Sequence, residues 1–494
     1  MTELPRPEPR DGRRPRKDDV VECTIERIGE EGQGVAIIVM RVSNQQRRFR
    51  FHVPGALEGE RVRARVTSGN RDVIDTELLA ILDASPHRSL PPCPHASPRL
   101  QPACGGCAFL ALDYSAQVEM KAAKAAKLFP GVPIEETIRS PLIERHRNKL
   151  EFSFGPATSG EEVALGLRPR GFRFEVVALE GCRLMSDGVE ALVPRVTRWA
   201  QALGLRAAIR DGDGGFLRTL TVRESMRTGE RLVELTTTGL ESVETPQGPL
   251  APEWIARDLE SALAPLAVSG YIWSRHIARR GERSRLESVI MAGRDCFEER
   301  LSLPDGPLRF EIHPRAFFQP NTSTAELLYA EVLSEAVPKR VAVALDLYCG
   351  TGTIALVLAR RAERVIGIEL VPEAIESARN NAALNELHHV SFLVGDVGAT
   401  LNEHPSLCGG VDVVTVDPPR AGLGATAVEA LHRIGAPTIV YVSCNPQSLV
   451  KDTSALSGRT MNGPGYRLTR LRPVDQFPHT PHLELVATFV RNDG

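Results

Sequence analysis

The sequence predicts an α/β protein that ends in a doubly wound parallel sheet, preceded by a small β-barrel and an α+β central region. From about residue 313, short apolar runs alternate with helical stretches, the pattern of a parallel sheet covered by helices on both faces. Between residues 20 and 82, glycine turns separate five short strand-like runs, which is typical of a small barrel of the oligonucleotide-binding kind. The predicted division is a disordered basic tail (1–17), the barrel (18–84), the central region (85–312) and the C-terminal domain (313–494).

Composition narrows the class of protein. The chain has 494 residues with 60 Lys+Arg and 62 Asp+Glu, so any surface that binds nucleic acid must be a local patch. The first residues lack the apolar stretch of a secretory signal, and the longest apolar run is broken by Asp346 and Gly350. We therefore predict no membrane segment and a cytoplasmic protein. Nine cysteines in a chain of this length fit a reducing compartment.

The predicted barrel carries a set of arginines on its strands. Strand alternation would direct many of them outward, as contacts to phosphates require, although a solvated barrel face explains the same pattern. The set comprises Arg47, Arg48, Arg50, Arg61, Arg63 and Arg65.

A ligand-binding edge is predicted where the C-terminal strands end. The first strand leads into DLYCGTGTIAL, whose Gly350 and Gly352 allow a tight turn and a close ligand. Glu369 ends the second strand and is placed for ribose hydroxyls, and Asp396 ends the third and suits an adenine amino group. The glycine spacing of this segment is not GxGxxG, and the segment lacks the lysine of a GxxxxGK[ST] loop. Both observations favour a nucleoside without phosphates over a pyrophosphate as the ligand. A plain tight turn is the alternative.

Two further strand ends carry chemistry at the same predicted edge. Asp417 precedes two prolines in VDPPRAG, and Cys444 follows the next strand in YVSCNPQSL. A free cysteine is commonly a small buried apolar residue. Its position beside the ligand loops favours a nucleophile. The remaining thiols outside the cluster described next have no such neighbours: Cys23, Cys296, Cys349 and Cys408.

Four cysteines outside the C-terminal domain form a candidate metal site: Cys93, Cys104, Cys107 and Cys182. The CGGC tetrapeptide supplies a close pair of thiols of the kind that binds zinc or an iron–sulfur cluster. Separate buried thiols are the third possibility.

Seven segments in order resemble the RNA uracil-5-methyltransferase family over nearly the whole chain. They are FHVPGALEGERV with the cysteine set, RHRNKLEFSF, FFQPNT, DLYCGTGTIAL, VDPPRAG, YVSCNP and DQFPHTPHLELVATF. The resemblance implies a class I methyltransferase fold using S-adenosylmethionine, a TRAM-type RNA-binding barrel and a 4Fe-4S cluster on the four cysteines. Ten residues separate Cys93 from Cys104, which is more than is usual in the family.

The same resemblance implies roles for individual residues. The cofactor site would be lined by Gln319, Tyr348, Gly350, Glu369, Asp396 and Asp417. Cys444 would be the nucleophile and Glu484 the proton acceptor. This assignment agrees with the chemistry, since carbon 5 of uracil becomes nucleophilic only after a thiolate adds to carbon 6. An amine methyltransferase needs no thiol, and it favours an aromatic residue where this chain has Arg420. A cytosine carbon-5 enzyme remains possible on chemistry alone.

The barrel and the cysteine set together indicate the RNA substrate. Large-subunit ribosomal enzymes of the family commonly carry both, whereas bacterial transfer-RNA enzymes generally lack both, so 23S ribosomal RNA is the first expectation for a monomeric enzyme. Archaeal enzymes acting on transfer RNA also carry these additions, which leaves transfer RNA as the second expectation. A non-catalytic RNA-binding iron–sulfur protein is the alternative from another class.

Overall fold

The structure is a computed structural model that describes residues 13–43, 45–96, 102–169, 174–210, 212–278, 281–458 and 463–492. Strands of the described residues form a six-stranded sheet, two seven-stranded sheets and a two-stranded hairpin. The predicted tail falls mostly outside the described residues, and Arg13 at its described end pairs with Asp19. No helix within these ranges is long and apolar enough to cross a membrane.

The N-terminal sheet follows the predicted barrel with one additional strand. Its strands are β1 (Val20–Thr24), β2 (Arg27–Ile28), β3 (Gly34–Val42), β4 (Gln45–Val53), β5 (Arg61–Asn70) and β6 (Val73–Asp83), in the order β1-β5-β6-β4-β3-β2. The run VVECTIERI, expected as one strand, is divided at Ile25 and Glu26. The Ile25 amide donates to Glu60 and the Glu26 amide donates to Val35, so this corner joins the two ends of the sheet. Phe49, Phe51 and Val62 fill the interior.

The central region contains the predicted mixture of helices and strands. Its elements are α1 (Tyr114–Leu128), β7 (Lys149–Gly155), β8 (Ala164–Leu167), β9 (Val177–Ala178), α2 (Asp187–Ala202), β10 (Leu217–Glu224), β11 (Arg231–Thr238), α3 (Pro252–Leu263), β12 (Gly270–Ile277) and β13 (Arg285–Gly293). The sheet order is β13-β12-β11-β10-β7-β8-β9. The run SAQVEMKAAKAAKLF predicts a helix with Ser115 at its N-cap. In the structure Asp113 occupies the N-cap of α1, two residues earlier. Trp199 on α2 donates to Asp258 on α3 at 2.9 Å, which joins the two helices that pack on the sheet.

The C-terminal elements confirm the doubly wound sheet. They are β14 (Phe297–Leu301), β15 (Leu308–Ile312), α4 (Thr322–Ala336), β16 (Val341–Leu347), α5 (Thr353–Leu358), β17 (Ala362–Glu369), α6 (Pro372–Leu384), β18 (Val390–Val394), α7 (Val397–Glu403), β19 (Val413–Val416), α8 (Ala425–Ile434), β20 (Thr438–Ser443), α9 (Pro446–Ser457), β21 (Tyr466–Val474) and β22 (Glu484–Arg491). The order is β18-β17-β16-β19-β20-β22-β21. The first five of these are parallel, and β22 runs antiparallel between β20 and β21. The functional strand ends therefore share one edge.

Two elements of the predicted central region pack on the C-terminal domain. Phe297 and Phe310 of the β14–β15 hairpin belong to the same apolar core as α4 and α5. Ala125 of α1 and the adjoining Phe129 belong to the core between the sheet and α8 and α9. The helix α1, which follows the CGGC cysteines in the chain, therefore packs on the C-terminal sheet.

Candidate active site

The glycine loop and Glu369 meet at the carboxyl edge of the sheet. Tyr348 and Gly350 both have positive φ, at 63° and 53°, and Gly352 is the N-cap of α5. The Gly350 amide donates to the Glu369 carboxylate at 3.2 Å. A Cβ added to Gly350 would meet nothing within 4 Å, so the backbone faces open space there. The loop therefore offers exposed backbone and a carboxylate side by side.

Tyr348 and Asp396 complete one side of this crevice. The Tyr348 hydroxyl donates to the carbonyl of Leu423 at 2.9 Å. Burial, followed by the carboxylates of Asp396, Asp452 and Glu369, raises the pKa of Tyr348 to about 12. Asp396 is exposed and caps α7 by accepting from the Ala399 amide at 3.0 Å. The predicted residues on three successive strand ends thus share one electrostatic environment.

Gln319 lies in the buried segment that leads into α4. Its carbonyl accepts from Asn148 Nδ2 at 2.8 Å, and Asn148 also donates to Thr322 at 2.9 Å. Asn148 belongs to the RHRNKLEFSF segment, so two of the segments quoted above are in direct contact. The described contacts fix the Gln319 backbone, and they do not join its side chain to Glu369 or Asp396.

Strand register brings Cys444 to Glu484. Ser443 at the end of β20 pairs with Leu485 of β22, and the next residues outward are Cys444 and Glu484. Burial, then the carboxylates of Glu484 and Asp417, raise the pKa of Cys444 to about 11. Burial and Asp417 raise the pKa of Glu484 well above its ordinary value. Burial also raises the pKa of Asp417 to about 7. A thiol and two proton-accepting groups therefore occupy one crevice.

Arg420 and Asp452 also belong to this site. Neither was predicted from the sequence to bind the cofactor or to take part in catalysis. Arg420 is the cation that lowers the pKa of both Cys444 and Glu484, against the larger effect of burial. Its carbonyl accepts from Asn445 Nδ2 at 2.9 Å. Asp452 of α9 accepts from the Leu423 amide at 3.0 Å and from the Tyr441 hydroxyl at 2.7 Å. The position of Arg420 directly after the double proline was the available signal, whereas Asp452 had none.

The four predicted ligand cysteines line one cavity in the central region. Its walls include Leu110, Ile143, Leu167, Leu179 and Leu184, and His479 of the C-terminal domain also borders it. Burial raises the pKa of Cys104 to about 12 and that of Cys182 to about 11, and that of Cys107 rises further. Neighbouring cysteines add to each shift, because the thiols face the same cavity.

The long loop after Cys93 folds back to the other cysteines. The Cys104 amide donates to the His95 carbonyl at 2.9 Å, and the Glu180 amide donates to His95 Nε2 at 3.3 Å. The intervening residues, 97–101, lie outside the described ranges. No three His, Cys, Asp or Glu side chains of the described residues are arranged to hold a single metal ion. Of the four remaining thiols, Cys23, Cys349 and Cys408 are buried and Cys296 is half-buried.

The barrel arginines divide into two groups. Arg61, Arg63 and Arg65 pair with Asp83, Glu22 and Glu77. Arg47, Arg48 and Arg50 on β4 are exposed, and the ion pairs of the described residues do not include them. The unpaired cations of the predicted set are therefore confined to one strand.

The sequence matches known proteins over nearly its whole length. The profile of the tRNA (uracil-5-)-methyltransferase family matches residues 276–397, and a methyltransferase domain profile matches residues 339–464. An uncharacterized RNA methyltransferase of Clostridium acetobutylicum is 32% identical, covering 96% of this chain and 98% of that one. Another uncharacterized RNA methyltransferase, of Caldanaerobacter subterraneus, is 33% identical, covering 95% of this chain and 98% of that one.

A solved structure agrees with these relatives. The tRNA (uracil-54, C5)-methyltransferase of Pyrococcus abyssi, crystallised with S-adenosyl-L-homocysteine, has 25% identity and a TM-score of 0.70, covering 95% of this chain and all of that one. Sequence and fold together establish that this chain belongs to the RNA uracil-5-methyltransferase family and is an RNA methyltransferase.

Proposed function

We propose that the protein transfers a methyl group from S-adenosylmethionine to carbon 5 of a uridine, most simply in 23S ribosomal RNA. The observation that carries this proposal is the register of β20 and β22, which sets Cys444 beside Glu484 at the edge that also carries the glycine loop. A thiol and a carboxylate in this relation are the two groups that carbon-5 methylation of uracil requires.

The cofactor fits the residues at the glycine loop. The open space at Gly350 admits a ligand close to the backbone, and the Glu369 carboxylate beside it suits the two ribose hydroxyls. Tyr348 and Asp396 would complete the adenosine site, with Gln319 and Asp417 toward the reacting groups. S-adenosylmethionine supplies the methyl group as an electrophilic sulfonium, with S-adenosylhomocysteine as its product.

The residues of this chain account for the remaining steps. The Cys444 thiol gives its proton to water, and its Sγ forms a bond to carbon 6 of the uracil, which makes carbon 5 nucleophilic. Carbon 5 then takes the methyl group. The Glu484 carboxylate accepts the proton from carbon 5, and the bond between Sγ and carbon 6 breaks to release the thiolate and the 5-methyluracil. Arg420 opposes the pKa increase of both groups, so it favours the ionised forms that these steps use.

The target uridine has to leave its stack to reach this crevice. A base that is buried in a helix cannot present carbon 6 to a thiol and carbon 5 to a carboxylate at once, so an unpaired loop or a flipped base is required. The exposed arginines on β4 would contact phosphates of the surrounding RNA without reading its sequence.

The four cysteines fit an iron–sulfur cluster better than a zinc ion. Four thiols line one cavity whose walls are largely apolar, which suits a metal group bound through cysteines. Cys93, Cys104, Cys107 and Cys182 would be its ligands, and the family resemblance favours a 4Fe-4S cluster over zinc. The cluster's positive irons would also offset the cost of ionising thiols whose pKa is raised by burial.

Support for ribosomal RNA is the combination of barrel and cysteine set that family members acting on the large subunit commonly carry. The test is methyl transfer from labelled S-adenosylmethionine to unmodified 23S ribosomal RNA and transfer RNA, each digested to nucleosides afterwards. We expect label in 5-methyluridine from 23S ribosomal RNA. Label in transfer RNA alone would refute 23S ribosomal RNA as the substrate, and label in 5-methylcytidine would refute uracil as the target base. Label in neither, with iron-replete protein, would favour a non-catalytic RNA-binding protein.

A further inference from the structure

The segment from Asp475 to Leu483 joins β21 to β22 and directly precedes Glu484, the first residue of β22. Asp475, Gln476, His479 and Thr480 of this segment are buried, which is unusual for a connection between two strands. Three sets of contacts hold the segment, two of them from α1 and one from the approach to α4. Each contact lies within nine residues of the proposed proton acceptor.

The first contact is a buried ion pair with α1. Lys121 Nζ donates to Asp475 Oδ1 at 2.5 Å and to the carbonyl of Phe477 at 3.0 Å. The exposed fractions of the Lys121 and Asp475 side chains are 1% and 0%. A fully buried ion pair adds little to stability, because desolvation of both charges opposes their attraction. The pair is better explained by the placement it imposes than by the stability it provides.

The second contact comes from Gln117, one helical turn before Lys121. Its Oε1 accepts from the His479 amide at 2.8 Å, and its Nε2 donates to the carbonyls of Leu112 at 2.8 Å and Phe109 at 3.1 Å. His479 has φ of 63°, a left-handed conformation that disfavours a histidine. The Phe109 amide donates to the His479 carbonyl at 2.9 Å. Such strain persists only where surrounding contacts over-determine it.

The third contact joins the segment to the approach to α4. Asn321 Nδ2 donates to the Gln476 carbonyl at 3.3 Å, and Gln476 Nε2 donates to the Asn321 carbonyl at 3.2 Å. Asn321 Oδ1 caps α4 by accepting from the Thr324 amide at 3.2 Å. The segment before Glu484 and the segment that carries Gln319 are thus fixed to each other.

We propose that Lys121 and Gln117 are positioning residues for Glu484, a role that rests on the proposed function. Glu484 is the first residue of β22, so strand pairing holds the residues that follow it in the chain. The Lys121–Asp475 and Gln117–His479 contacts hold the residues that precede it. Proton abstraction depends on the position of the base to within about 1 Å, whereas addition of Cys444 to carbon 6 does not use Glu484.

The test replaces the ion pair by neutral side chains of similar size in Lys121→Met/Asp475→Asn. Neutralising both partners avoids leaving one buried charge without a partner. We expect turnover to fall roughly tenfold to a hundredfold and the covalent protein–RNA adduct to accumulate. The same accumulation is expected of Glu484→Gln, which removes the proposed proton acceptor. Adduct formation in a single turnover and the affinity for S-adenosylhomocysteine should stay within about twofold, because neither uses Glu484.

The matched control is Arg88→Met/Glu60→Gln, which neutralises a second buried ion pair. The side chains of Arg88 and Glu60 are 11% and 0% exposed, and the pair lies in the barrel region. This control should leave the adduct fraction unchanged. Gln117→Met is a second variant that alters no charge, and it should raise the adduct fraction in the same direction.

Three results would overturn the proposal. They are an unchanged adduct fraction in both test variants, an equal loss of adduct formation and turnover, and the same adduct increase in the barrel control. Failure of Glu484→Gln itself to accumulate adduct would instead refute Glu484 as proton acceptor, so the two failures are distinguishable.

Discussion

Thiols occupy two regions of this protein and have different neighbouring groups in each. In the cysteine cavity of the central region, burial and neighbouring thiols raise the pKa of Cys104, Cys107 and Cys182. In the crevice of the C-terminal domain, burial and two carboxylates raise the pKa of Cys444. Burial is the largest cause of the raised pKa in both regions. The further causes differ, because they are thiols in the cavity and carboxylates in the crevice.

The difference indicates what each region can do. Several thiols in an apolar cavity can all ionise only if a bound cation compensates them, which suits a metal cluster. A single thiol beside carboxylates can ionise transiently and give its proton away, which suits a nucleophile paired with a base. Cysteine spacing alone does not separate these uses, whereas the surrounding charges do.

The largest expected contrast comes from removing one thiol in each region. Cys444→Ala should lower methylation roughly a thousandfold or more and leave the iron content unchanged. Cys182→Ala should lose most of its iron and unfold at lower temperature, as measured by iron analysis and thermal melting under anaerobic conditions. Cys296→Ala is the control and should keep both properties. Substantial methylation by Cys444→Ala would refute the nucleophile, and full iron content in Cys182→Ala would refute the ligand set.

An intermediate effect is expected from removing a carboxylate beside Cys444. Glu484→Gln removes a negative charge that disfavours the thiolate, so the pKa of Cys444 should fall from about 11 by roughly one unit. The alkylation rate of Cys444 against pH, followed by peptide mass spectrometry, should shift to lower pH. Cys296 in the same digest is the internal control. A shift to higher pH would mean that Glu484 does not act on the thiol as the structure indicates.

The smallest effect is expected from Arg420. Arg420→Met removes the cation that favours the Cys444 thiolate, so the alkylation curve should move to higher pH by a few tenths of a unit. Because Arg420 is exposed, the shift should shrink as salt concentration increases. Arg47→Met, on the barrel, should not move the curve. No displacement for Arg420→Met at low salt would remove Arg420 from the electrostatics of the crevice.

Local pattern predicted the strand ends of the C-terminal domain because each functional residue there directly follows an apolar run. Glu369 and Asp417 were placed in this way, and so was Cys444. The predicted N-cap of α1 was wrong by two residues, since Asp113 and Ser115 are both good caps and local sequence does not choose between them. The division of the first barrel strand at Ile25 depends on its partners Glu60 and Val35, which are remote in the sequence.

The sequence by itself determined the fold class, the family and the candidate catalytic residues, because these depend on periodicity and on short segments of contiguous chain. Only the tertiary structure decided which side chains act on one another. Cys444 and Glu484 are forty residues apart, and strand register makes them neighbours. Lys121 and Asp475 are more distant still and carry no motif that would pair them. Their pairing follows from the burial of α1 against the C-terminal sheet, which brings two charges together out of water.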